Sequence, residues 1–179
     1  NSQLKVAEDG EKKYGARLNM DYQATSQLKI ESNISYEKRD IINPSTDVGA
    51  GYFDPWFWAV YNEKGDAYDT FSGNRNPIGG LTQGGRNKTG FITFRGGMKA
   101  TYDLSKYLQG LSVSGSGAYK TVEKNFQEQK NKVQYYDWTG NMTGNKQGPG
   151  SLKEELEKWE NITLGGFVNY QRTFADVHN

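Results

Sequence analysis

The sequence predicts an all-β fold: an antiparallel meander of about five long strands, an arc of a large transmembrane β-barrel with two long extracellular loops. Three observations carry that expectation. Apolar and polar residues alternate over stretches of roughly nine or ten residues, so each stretch puts an apolar stripe on one face and a polar stripe on the other. Such stretches exceed the usual globular strand of about five or six residues and approach a tilted barrel strand. The connections between them alternate short, long, short, long, as when one end of a barrel carries plain turns and the other elaborated loops. A soluble sandwich more often shows strands of half this length with frequent turn signals.

A short apolar piece at Leu4–Val6 precedes the turn signal Asp9-Gly10 and adds an edge at the N-terminal side. The first strand covers about residues 13–23, with Tyr14, Ala16, Leu18, Met20 and Tyr22 opposed by Gly15, Arg17, Asn19 and Asp21. A polar break at Ala24-Thr25-Ser26-Gln27 leads into the second, about 28–38, where Leu28, Ile30, Ile34 and Tyr36 oppose Lys29, Glu31, Asn33 and Glu37. Two such runs joined by about four polar residues make an antiparallel hairpin. Periodicity then vanishes over about 40–88, where Gly, Asn, Pro and Asp surround an aromatic cluster. Loops this long are uncommon unless functional or disordered.

Alternation returns over about 90–104 (Ile92, Phe94, Met98, Tyr102 against Thr93, Arg95, Lys99, Asp103) and about 110–123 (Leu111, Val113, Tyr119 against Ser112, Ser114, Ser116, Lys120). A second irregular stretch covers about 125–158. The last strand, about 159–173, carries Ile162, Leu164, Val168 and Tyr170, with Phe167 intruding on its polar face. Residues 151–158 support two readings. Ser151-Leu152-Lys153-Glu154 fits a capping box for a helical turn, and an extended arm fits as well.

Composition narrows the function classes. The 179 residues carry a net charge of +1 with both signs interspersed, which gives no basic stripe for nucleic acid. There are no cysteines, so neither disulfides nor thiolate metal sites form within these residues. A mean hydropathy of -0.88 leaves no run of about twenty apolar residues for a transmembrane helix. A barrel, whose strands turn half their residues to a polar lumen, is untouched by that argument. Asn1-Ser2-Gln3 lacks the basic start and apolar core of a signal peptide, and the abrupt ends suit a segment excised from a longer chain.

Tyr22, Tyr36, Tyr102, Tyr119 and Tyr170 lie near stripe ends. A ring in apolar surroundings with its hydroxyl toward water suits an interfacial girdle, although tyrosine is also a common strand residue. No catalytic constellation emerges. The single histidine, His178, lies in a terminal turn, the loop carboxylates show no pairing, and Gly79–Gly85 lacks the Gly-Lys-Ser/Thr of a phosphate loop. Neither an enzyme, a metal site nor a cofactor is expected. The candidate ligand contacts are the loop aromatics Tyr52, Trp56, Trp58 and Tyr61, whose flat faces suit a sugar ring or a peptide side chain. The competing reading has them packing the loop onto itself or forming the upper aromatic belt.

An ordered series of short motifs resembles the barrel of SusC/RagA-type TonB-dependent outer-membrane transporters of Bacteroidetes. Tyr14-Gly15-Ala16-Arg17-Leu18-Asn19-Met20-Asp21 resembles the family's recurrent strand, and Leu28-Lys29-Ile30 to Ser35-Tyr36 follows it. Val60-Tyr61-Asn62-Glu63-Lys64-Gly65, Asn76-Pro77-Ile78, Leu104 to Ser112, and Gln134-Tyr135-Tyr136-Asp137 come next. Asn169-Tyr170-Gln171-Arg172-Thr173-Phe174 with His178-Asn179 closes the series. The resemblance implies a bacterial outer-membrane location and a twenty-two-stranded barrel filled by a plug. It further implies import driven by TonB, a SusD-like surface lipoprotein as partner, glycan or peptide substrates, and no catalytic residues. The plug, TonB box and remaining strands are absent from these residues, so this stretch alone is not expected to transport. The Pro55-Trp56-Phe57-Trp58 cluster is richer in tryptophan than the family pattern. Five strands do not close a barrel, so the isolated stretch is expected to self-associate through its open edges and apolar face. The rival reading is a soluble carbohydrate-binding or adhesin-like β-domain with an aromatic ligand loop.

Overall fold

The computed structural model describes residues 7–46, 59–69, 76–147 and 149–172. The fold is all-β, with one short helix among the described residues. Five long strands, β1 (Gly10–Gln23), β2 (Leu28–Pro44), β3 (Gly85–Asp103), β4 (Leu111–Lys130) and β7 (Ser151–Tyr170), form one sheet in the order β1-β2-β3-β4-β7. The helix α1 (Pro77–Gln83) lies in the connection from β2 to β3, and the hairpin β5 (Val133–Tyr136) and β6 (Met142–Gln147) in that from β4 to β7.

Contacts divide the chain into two compact units that share the long strands. One comprises Lys13–Lys38, Phe91–Glu123 and Lys158–Asn179. It holds the segments where the stripes are regular, together with both short turns. At residues 24–27 the Thr25 hydroxyl accepts from the backbone N–H of Gln27 (3.2 Å) and Leu28 (3.0 Å), a local turn that replaces ladder bonds. At 104–110 the Leu104 carbonyl accepts from Tyr107 and Leu108, and Gly110 closes the turn at φ +84°. A Cβ there would run into the Gln171 carbonyl, so both the left-handed backbone and the close approach require glycine.

Within this unit the register follows from backbone bonds. Ala24 donates to Leu28, Asp103 to Gln27, Leu104 to Leu111, and Gln171 to Gly110. The contacts of the added-Cβ positions agree: Gly117 lies against Leu164, Gly165 against Ser116, and Gly97 against Asn33. Apolar stripes therefore fall on one face of all five strands and polar stripes on the other, as the alternation requires. Phe167 shares the polar face with Gly165, and its ring covers the bare glycine at 3.4 Å from the built Cβ. That contact accounts for an aromatic on a polar stripe.

The other unit comprises Asn1–Lys12, Arg39–Gly90 and Lys124–Glu157. Here the strands outrun their apolar alternation. β4 reaches Lys130 and β7 begins at Ser151, so much of the predicted loop over 125–158 is ladder, held by Lys124–Glu157 (2.8 Å) and Gln127–Glu154 (2.7 Å). Of the two readings for 151–158, the extended one is observed. The partner strand satisfies its backbone, and Glu154 accepts from Gln127 across the ladder. The predicted loop 40–88 likewise loses its first residues to β2 and its last to β3. Leu4–Val6 lies outside the described residues.

Candidate functional site

The loop unit encloses the only buried residues among those described. Ala67, Val133 and Tyr135 form its core, with Leu81 on α1 and the polar Asn62 and Asn76 also buried. Two asparagines hold the irregular backbone in place. Asn76 caps α1 by accepting from the Ile78 N–H (3.0 Å), and its amide donates to the Val60 (2.6 Å) and Tyr68 (3.0 Å) carbonyls. Asn62 accepts from the N–H groups of Lys64 (3.0 Å) and Asp66 (2.8 Å) and donates to the Asp137 carbonyl (3.1 Å). Buried polar groups demand partners, and these two supply them for a segment with no ladder of its own. The paired glycines of α1 admit its neighbours: a Cβ on Gly79 would sit 2.6 Å from the Tyr135 ring.

Residues 59–69 fold back at Tyr61↔Ala67 and join β5 by a parallel bridge, Tyr68↔Tyr136. Their rim is aromatic. Trp138 is 47% exposed, stands edge-on to Tyr68 (centroids 5.7 Å), and donates from its indole N–H to Glu63 (2.9 Å). Beside it the Asp137 carboxylate accepts from the Asn141 N–H (2.8 Å), the Thr139 hydroxyl (2.8 Å) and the Asn141 amide. These donors favour the charged form and hold its pKa down to about 2. Burial pushes the Tyr135 hydroxyl upward. A cleft of about 340 Å³ opens in the same unit, lined in part by Pro44, Leu81, Gln83, Arg86 and Gln129.

Of the four sequence candidates, Tyr61 lies on this rim, 43% exposed. Tyr52, Trp56 and Trp58 lie outside the described residues. Sequence reading missed Trp138, Tyr68 and the asparagine pair. The available signal was Asn76-Pro77, an N-cap followed by the residue best suited to a helix's first turn, with Gly84 at its end. Trp138 carried no signal, because its fixed orientation depends on Glu63, 75 residues away.

The unit with the regular stripes contains two further surfaces. On its apolar face Leu18, Met20, Ile34, Met98, Val113, Ile162, Leu164 and Val168 are all exposed, Leu164 to 81%. Aromatic residues bound this band at both ends: Tyr14, Tyr36 and the tilted pair Phe94–Tyr119 (6.3 Å) at one, Tyr22, Tyr102 and Tyr170 at the other. Beyond the first end stand polar groups, where the Tyr119 hydroxyl donates to Glu160 (2.7 Å), itself paired with Lys158 (3.0 Å). The eight steps from Tyr14 to Tyr22 span about 26 Å of strand, of the order of the ~25 Å apolar band of outer-membrane barrels. On the polar face Lys13 pairs with Glu37 (3.2 Å), and Lys29 with Glu31 (2.7 Å) and Asp21 (3.9 Å).

No protein-family profile matches the chain, and no curated protein is significantly similar to it. Among the described residues no group of three or more His, Cys, Asp or Glu is placed to hold a metal ion, and no helix is long and apolar enough to cross a membrane.

Proposed function

We propose that this chain is a stretch of the transmembrane barrel of a SusC/RagA-type TonB-dependent importer in the bacterial outer membrane. It works there without catalytic chemistry, alongside a plug, TonB and a SusD-like lipoprotein, in the uptake of glycans or peptides. One observation supports this reading above the rest: a continuous apolar sheet face, exposed on all five strands and bounded at both ends by aromatic rings. Water-exposed apolar patches on soluble monomers rarely exceed a few hundred Å². Lipid covers such a face without further protein, and tyrosines at its margins suit the headgroup level. The motif series in the sequence supports this family over other barrels.

The test uses the absence of cysteine from these residues. Single cysteines are placed at Leu18, Met98 and Leu164, and at Arg17, Arg95 and Thr163, in the full-length protein cleared of other cysteines. Each is spin-labelled in proteoliposomes and its collisions with oxygen and with a water-soluble nickel chelate are compared. The first three should favour oxygen and the second three nickel. Nickel accessibility at all six positions removes the membrane reading. The binding-module alternative then takes over, supported by Trp138, whose ring Glu63 and Tyr68 hold fixed and half-exposed as a sugar-stacking face requires.

A further inference from the structure

The polar face of the striped unit carries an unbalanced row. Counting along the strands from the Ala24–Leu28, Gln27–Asp103, Leu104–Leu111 and Gly110–Gln171 bonds aligns Arg17, Ser35, Arg95, Lys120 and Asn161 across the five strands. Arg95 and Lys120 are direct neighbours on β3 and β4, about 4.8 Å apart between strands. Like charges directly opposite one another destabilise a sheet. Elsewhere on this face Lys13 pairs with Glu37 and Lys29 with Glu31 and Asp21, and Lys99, itself in no ion pair among the described residues, stands across from the Glu31 carboxylate. Arg17, Arg95 and Lys120 enter none of the ion pairs of the described residues, and all three are exposed.

The surroundings leave room for a ligand to supply the missing charge. The neighbouring row on one side contributes Asn33, Gly97, Ala118 and Thr163, small or neutral, so the long cationic side chains stand over a low floor. On the other side Trp159 lies one row from Asn161, 49% exposed. A guanidinium beside an ammonium matches oxyanions, and an exposed indole matches the apolar face of a sugar ring.

We propose that Arg17, Arg95 and Lys120, with Trp159, form a subsite for an acidic oligosaccharide, whose carboxylate or sulfate groups complete the row. This inference rests on the reading that the polar face lines the lumen of a barrel. It narrows the cargo from glycans or peptides to anionic glycans.

Calorimetric titration of the full-length protein in detergent tests it, with hexagalacturonate, a sulfated hexasaccharide, neutral maltohexaose and inorganic phosphate as probes. At least one acidic hexasaccharide should bind at least about tenfold more tightly than maltohexaose, and should weaken as salt shortens the screening length. The double change Arg95→Gln with Lys120→Gln should weaken it about tenfold or more, and Arg17→Gln alone several-fold. Lys13→Gln, which removes a matched cation from the same face, should stay within about twofold. Heat-modifiable gel mobility confirms that each variant keeps its barrel. If the double variant loses it, Arg17→Gln set against Lys13→Gln decides. Binding of neither acidic sugar, equal binding of maltohexaose, equal binding of free phosphate, or equal loss in Lys13→Gln overturns the subsite. The spin-label accessibility of Arg95 judges the lumen reading separately: a nickel-accessible Arg95 without acidic-sugar binding sinks the subsite alone.

Discussion

The two units of this chain achieve order by different means. The loop unit makes a small enclosed core from Ala67, Val133 and Tyr135, and anchors irregular backbone with two buried asparagines. The striped unit buries no residue among those described, yet its strands are longer and more regular than anything in the loops. Its backbone is satisfied by the ladder, while its apolar side chains have nothing of their own to pack against. An ordered strand thus needs only a hydrogen-bonded neighbour, whereas an ordered loop needs an interior. The striped unit, lacking one, depends on whatever covers its apolar face. Separated from that cover, the stretch should self-associate, and a monomer by sedimentation at high concentration without detergent would break the comparison.

The largest effect is expected in the loop unit. Tyr135 is 1% exposed and fills the space against Gly79 and Ala67. Tyr135→Ala should cost about 3–5 kcal/mol, the scale of aromatic truncations in packed cores. Hydrogen exchange should show it as lost protection over residues 59–69 and 133–136, with β1–β2 amides around the 24–27 turn unchanged. Loss of protection in both would mean that the units are not separable in this way. Lysine at Leu18 or Ile30 should cost roughly 2–4 kcal/mol near the bilayer midplane. The readout is folding into vesicles, and no penalty for either substitution would sink the assignment of faces.

The same contrast decides what could be read in advance. Strand stripes are a local, period-two signal, so most of β1, the first part of β2, the later part of β3, the first part of β4 and the later part of β7 were legible directly. Ladder extended by cross-strand pairs such as Lys124–Glu157 was not, because neither strand there shows apolar alternation and each is specified by its neighbour. The capping-box pattern at Ser151–Glu154 left a helical turn and an extended arm equally open for the same reason: pairing satisfies the backbone groups that a cap would have served. In the candidate site, Tyr61 was legible as an aromatic in a loop. Asn76 was legible only as a helix cap before Pro77, whereas Trp138 and Asn62 depend on partners 75 residues distant, which no local pattern encodes.

The smallest effect separates the units by pH. Asp137 has its carboxyl held down to about 2 by the donors of Thr139, Gly140 and Asn141. A carboxyl whose folded pKa is depressed contributes stability that is present above the unfolded value and lost as pH falls through the folded one. The turn over 137–141 should therefore be intact at pH 5 and loosen between about pH 4 and pH 2. Trp138 reports it, because its indole is fixed to Glu63 next door and its fluorescence should change as the turn releases. Asp137→Asn keeps the shape but removes the titration, so its fluorescence should be flat across that window wherever Asp137 is the cause. A transition of the same midpoint in Asp137→Asn would show that the Asp137 carboxyl is not its cause.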